Sequence, residues 1–160
     1  MMKRRIFAVL MLAVVLLAGT ACRKPIKTDA PMTSFIFSHS GMHTGQIYTL
    51  SAEKGEGGWF AGFSLLAGER EYSLDMTAEE AKALALLVQN HELTRWNGFD
   101  RVDRHALDGT GFDLRISYED GQEVRASGSN TFPEGYKAAH EAVLNFFGKL
   151  MEKNGIENPL

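Results

Sequence analysis

The stretch Phe112-Asp113-Leu114-Arg115-Ile116-Ser117-Tyr118-Glu119-Asp120-Gly121-Gln122-Glu123-Val124-Arg125-Ala126-Ser127-Gly128 decides the fold. Phe112, Leu114, Ile116 and Tyr118 alternate with Asp113, Arg115, Ser117 and Glu119, the period-two pattern of a strand with one face in a core and the other in water. Val124 and Ala126 resume the pattern after Asp120-Gly121. A two-residue Asp-Gly turn would set Val124 opposite Ser117, on the polar face. A three-residue loop, Glu119-Asp120-Gly121 with Gly121 left-handed, sets Val124 opposite Ile116 and Ala126 opposite Leu114. Burial selects the bulged turn. In that register Gly128 faces Phe112, whose ring can cover the bare glycine backbone.

Upstream of this hairpin, Ser34–Ser38, Gln46–Ala52, Gly58–Ala67 and Glu71–Asp75 are rich in aromatic and branched residues and are separated by glycine-bearing turns. Their connections are too short for crossover helices, so the simplest joining is an antiparallel meander. Thr77 followed by Glu80 is a capping-box pattern, after which Ala81, Leu84, Leu87, Val88 and His91 recur at helical spacing. A second helix is predicted from about Glu134 to Lys153, with Tyr136, His140, Val143, Leu144, Phe147, Leu150 and Met151 on one stripe and Asn154-Gly155 as its stop. Two amphipathic helices need a partner surface. The expected fold is therefore α+β: an antiparallel sheet of about five to six strands with both helices packed on one face, in a single domain over residues 34–160.

The amino-terminus has a different character. Lys3-Arg4-Arg5, the apolar run Ile6–Ala18 and the small residues Gly19-Thr20-Ala21 precede Cys22, the only cysteine of the chain. An apolar run of about 13 residues is short of the roughly 20 that span a bilayer, so residues 1–21 read as a cleaved signal peptide. Leu17-Ala18-Gly19-Thr20-Ala21-Cys22 resembles the lipobox of bacterial lipoproteins, although Gly19 stands where Leu is commonest. The resemblance implies that the Cys22 thiol receives diacylglycerol, with palmitate-type acyl chains holding the mature protein on the membrane. Residues 22–33, with Pro25 and Pro31, are then expected to form a lipidated cysteine and flexible tether reaching at most about 35 Å.

Composition narrows the chemistry. Consumption of Cys22 by lipid leaves the mature domain without a disulfide, a thiol nucleophile or a thiolate zinc site. Loss of Lys3, Arg4 and Arg5 leaves 14 basic against 20 acidic residues, a net charge of −6. Nucleic acid is a poor partner for so acidic a domain.

From Trp96 to Pro133, the runs Trp96-Asn97-Gly98-Phe99-Asp100, Leu107-Asp108-Gly109, Tyr118-Glu119-Asp120-Gly121 and Ser127-Gly128-Ser129-Asn130-Thr131-Phe132-Pro133 resemble an uncharacterised domain of bacterial envelope proteins. That resemblance implies no activity and no established site residues. From the residues themselves, Ser127, Ser129, Asn130 and Thr131 form the best candidate recognition loop, because they precede a helix whose first amides can receive an anion or a carbonyl. His39 and His43 are weak metal candidates, expected in a glycine-bearing loop. Asp100, Asp103 and Asp108 share a connecting segment that a hard cation such as calcium can accept, though their spacing is not that of an EF-hand. His91 and His140 read as structural. Trp59 and Trp96 can line a ligand groove, with burial the commoner use of each.

No nucleophile elbow and no metalloprotease helix motif is present. The resulting expectation is a lipid-anchored, non-catalytic binding or accessory module of the cell envelope. It would sit on the cell membrane or outer membrane facing outside the cytoplasm, require no cofactor and recruit an envelope protein or cell-wall component. The alternatives are a metal-dependent or hydrolytic envelope enzyme, expected to have a cleft joining His39 or His43 to Asp100–Asp108, and a small-molecule or ion sensor.

Overall fold

A computed structural model of the protein describes residues 25–41, 47–65, 69–103, 105 and 109–157. The expected signal peptide, residues 1–21, lies outside the described residues, as do Cys22, His43 and Asp108.

Alternation builds a seven-stranded sheet: β1 (Met32–Gly41), β2 (Ile47–Gly55), β3 (Gly58–Leu65), β4 (Arg70–Met76), β5 (Asp100–Val102), β6 (Thr110–Tyr118) and β7 (Glu123–Ser129). The helices are α1 (Ala78–Asn90) and α2 (Tyr136–Lys153), with a 3₁₀ turn at Leu93–Trp96 after α1. The sheet order is β4-β3-β2-β1-β6-β7-β5, so β1 is central and pairs antiparallel with both β2 and β6. The protein is thus α+β with a mostly antiparallel sheet.

The expected count of five to six strands is corrected to seven. The added strand is β5, read from the sequence as a connecting segment. Its three residues are all exposed, so they carry no apolar alternation; they join the sheet through parallel backbone pairing of Asp100–Val102 with Ser127–Ser129. The β6–β7 hairpin has the register that burial selects: Ile116 faces Val124, Leu114 faces Ala126 and Phe112 faces Gly128, with Gly121 left-handed at φ 79°.

Thr77 caps α1 through the reciprocal bonds of a capping box: its Oγ1 accepts from the Glu80 N–H at 3.2 Å, and its own N–H donates to Glu80 Oε2 at 2.8 Å. Lys153 Nζ, at the far end of α2, donates to Glu80 Oε1 at 2.8 Å. These donors, Lys153 foremost, hold the Glu80 carboxyl below its usual range.

Phe35, Phe37, Leu50, Ala61, Phe63, Leu114, Ile116 and Val124 from the sheet share one apolar cluster with Leu84 and Val88 of α1 and Val143, Phe147 and Met151 of α2. Phe147 lies at its centre, 6.1 Å from the Phe35 ring and edge-on to Phe63 at 5.6 Å. Between these inward positions the strands carry Ser34, Ser38, Thr49, Ser51, Asp113, Arg115 and Arg125, none of them buried. Among the described residues no helix is long and apolar enough to cross a membrane.

Residues 25–31, expected as part of a flexible tether, lie against the domain. Ile26 packs on the core, Thr28 Oγ1 donates to Asp120 Oδ2 at 2.7 Å, and the Pro31 carbonyl accepts the Glu119 N–H at 3.0 Å. The physical reason is that Ile26 and Met32 supply apolar footholds in an otherwise polar stretch.

Candidate functional site

The inward alternation of β1 does not stop at Ser38. Phe35, Phe37, His39 and Gly41 are all buried on that face, and β1 runs on to Gly41. His39 was expected in a loop; it is a strand residue only 7 % exposed. Its neighbours in register are Tyr48 of β2 and Phe112 of β6. Tyr136 and His140, one turn apart in α2, descend onto the same place, since an i, i+4 pair shares a helix face.

Four polar rings stack there. His39 lies 4.8 Å from His140 and 5.2 Å from Tyr48, and Tyr136 lies 5.4 Å from His140, with interplanar angles of 20°, 17° and 22°. His39 Nδ1 is 3.3 Å from the Tyr136 hydroxyl, and the Tyr48 hydroxyl is hydrogen-bonded to His140 Nε2. Phe37 tilts against both α2 rings, and Phe112 lies 4.8 Å from Tyr136. Trp96, edge-on to Phe112, donates its indole N–H to the Glu134 carbonyl at 3.2 Å and so pins the loop before α2.

Burial disfavours charge on every member of this group. It pushes both tyrosine hydroxyls above their usual range, Tyr48 also feeling Tyr136. It lowers His39, and it lowers His140 to about 4, with the nearby His39 as a second cause. The cluster is therefore uncharged at neutral pH. A histidine whose folded pKa is depressed binds fewer protons in the native than in the unfolded state between the two values, so stability is full above about 6.5 and falls as the pH drops toward 4. For His140, discounted for solvent screening of a ring that is only partly buried, this amounts to about 2–3 kcal/mol, with His39 acting in the same direction. Urea midpoints at pH 7 and pH 4 measure it. His140→Phe is expected to flatten that dependence, and an unchanged slope would remove His140 as its source.

Above the stack, a recess of about 560 Å³ is bounded by Phe132, Pro133, Tyr136, Lys137 and Glu141. Tyr136 lines it, and Phe132 tilts against that ring at 4.4 Å and 31°. Neither His39 nor His140 lines it. The arrangement suits apolar or aromatic contact with Lys137 and Glu141 as polar neighbours, rather than proton transfer to a bound molecule.

The remaining sequence candidates disperse. Ser127 and Ser129 belong to β7; Ser127 Oγ donates to Asp100 Oδ1 at 3.0 Å. Asn130, left-handed at φ 53°, exchanges two 2.8 Å bonds with the Thr110 backbone, and the Thr131 carbonyl lies over Gly128. Asn130 thus ties the end of β7 to β6, and Ser127 ties β7 to β5. They do not cap α2, whose N-cap is Gly135, without a side-chain bond. Asp103 Oδ1 accepts the His105 N–H at 2.9 Å. Asp100 on β5 is three strand spacings from β1, about 14 Å, so β6 and β7 separate it from His39. Among the described residues no group of three or more His, Cys, Asp or Glu side chains could hold a metal ion. Two imidazoles stacked face to face also direct their in-plane lone pairs past each other rather than at one ion.

In the sequence His140 and Tyr136 read as part of an apolar stripe, and Tyr48 does not stand out as a partner of either. The available signal was that the inward set of β2 continues back from Ala52 and Leu50 to Tyr48. No protein-family model matches the chain, and no curated protein matches it.

Proposed function

We propose that the protein is a lipid-anchored accessory module of the bacterial cell envelope, held at Cys22 and binding an envelope protein or wall component through the Phe132–Tyr136 end of its domain. The observation that carries this reading is polarity along β1. Its Met32 end meets Tyr118, while its Gly41 end meets Thr110. The incoming segment 25–31 is bonded at the first end, and the recess and ring cluster lie at the second, about 30 Å away along a ten-residue strand. An anchor at one end leaves the other free to meet a partner. In this reading both helices cover one sheet face, and the rigid ring stack supports Phe132, itself 36 % exposed, as an apolar contact at low entropic cost. The signal-like amino-terminus and the lipobox-like residues before Cys22 support the anchor, and the module needs no cofactor.

Photo-crosslinking in intact membranes tests the assignment. Probes replacing Phe132 or Lys137 are expected to give a discrete adduct that a probe at Lys153, at the opposite end of α2, does not. Equal labelling from all three positions, or labelling only from Lys153, would overturn it.

A further inference from the structure

Three features converge at the Met32 end of the sheet. The incoming chain is fastened there by the Thr28–Asp120 and Pro31–Glu119 hydrogen bonds, at 2.7 and 3.0 Å. Lys54 Nζ donates to Glu119 Oε1 at 2.8 Å, joining the β2–β3 hairpin to the β6–β7 turn. That hairpin turns at Gly55–Gly58 and is followed at once by two aromatic residues, Trp59 and Phe60, one on each face.

Phe60 is 39 % exposed, and its ring leans toward the tip: a Cβ on Gly55 would lie 3.1 Å from it and one on Gly57 3.9 Å. Trp59, half-buried, lines a shallow groove of about 220 Å³ with Pro31, Lys54 and Lys82. An indole and an exposed phenyl ring beside the turn, with Lys54 on its strand and Lys82 across the groove on α1, are residue types that settle at a bilayer interface, the rings at headgroup depth and the lysine stems along the apolar surface.

Chain length selects the occupant. Only three peptide links separate Cys22 from Pro25, about 10 Å when extended. A lipid on Cys22 therefore draws this end onto the bilayer instead of letting the domain swing on a long tether. We infer that the Lys54–Phe60 hairpin is a second membrane contact, resting on the zwitterionic phospholipid interface; this builds on the proposed acylation of Cys22. Glu53 and Glu56 beside the tip disfavour a strongly anionic surface.

Once Cys22 is acylated the chain has no free thiol, so a single introduced cysteine accepts a nitroxide label. Full-length protein carrying Phe60→Cys, Glu56→Cys or Lys137→Cys is reconstituted in phosphatidylcholine–phosphatidylethanolamine vesicles, and the intact mass reports acylation. Labels at 60 and 56 are expected to collide with oxygen several-fold more, relative to a water-soluble nickel chelate, than the label at 137. Labels at 60 and 56 as aqueous as that at 137, on an acylated chain, would overturn the contact and leave the anchor standing. An unacylated mature chain would overturn both. Glu56 lies in the exposed turn, so its variant keeps the test valid if Phe60→Cys lowers stability.

Discussion

Phe147→Ala is expected to lower the unfolding free energy by about 3–5 kcal/mol, the range for deleting a buried aromatic ring. Phe147 has no measurable exposure, and its ring meets Phe35 and Phe63 on the sheet and Phe146 on its own helix. It is the principal aromatic contact between α2 and the strands on both sides of β2. The cavity left by alanine is walled by strands hydrogen-bonded on both edges, which limits collapse and places the cost toward the top of that range. Against a stability of about 5–15 kcal/mol for a domain of this size, the loss is a large fraction. Urea denaturation, with Lys149→Ala on the exposed side of the same helix as control, measures it; a midpoint matching the control would show that α2 is not held by this ring.

Gly128→Ala acts in the opposite way, by adding volume. A Cβ at Gly128 would sit 2.2 Å from the Thr131 carbonyl oxygen and 2.6 Å from Phe112 Cε1, both far inside contact distance. Phe112 has little room to turn, because Trp96, Phe99, Phe132 and Tyr136 surround it. The Thr131 oxygen belongs to backbone that Asn130 ties to Thr110. Something must move. The expected cost is about 3 kcal/mol, the upper range for overpacking, with a fall of several degrees in Tm. The phenyl-ring region of the recess is expected to shift with it, so crosslinking from Phe132 should weaken in the same variant. A Tm within about 1 °C of the parent, a shift worth only tenths of a kcal/mol, would mean that the Thr131 turn yields freely.

Several parts of this architecture are legible in the sequence alone. The β6–β7 register followed from requiring Val124 and Ala126 on the same face as Ile116 and Leu114, because a one-residue slip would have turned both to water. The capping box at Thr77 and Glu80 was equally readable, since its chemistry is local. What escaped has a common cause. β5 is three exposed residues that join the sheet through backbone pairing and one Ser127–Asp100 side-chain bond, neither of which leaves an alternating mark on the sequence. Residues 25–31 looked like linker because a single Ile26 is no periodicity. The ring cluster joins His39 to Tyr136 across 97 residues and Tyr48 to His140 across 92. Tyr48, Tyr136 and His140 fall on a strand and a helix in the sequence while His39 reads as loop, and their meeting depends on how α2 crosses β1, which no local spacing encodes. The residues proposed from the sequence as a recognition loop are near the recess for a sound reason, their place before α2, yet Asn130 is occupied in tying the end of β7 to Thr110 and Ser127 in holding Asp100 of β5.

The central position of β1 sets an order of events during synthesis. β1 to β4 can zip together as a meander while the chain emerges, but the second long edge of β1 stays open until Thr110–Tyr118 follows, and α2 comes last of all. Until then Phe35, Phe37 and Phe63 lack the cover of α2, and a row of unpaired amides runs along the open edge of β1. A chain stalled or cut before Thr110 is therefore a ready template for pairing with its own copies. Release from a holding chaperone, and resistance to proteolysis, depend on the arrival of the carboxy-terminal third.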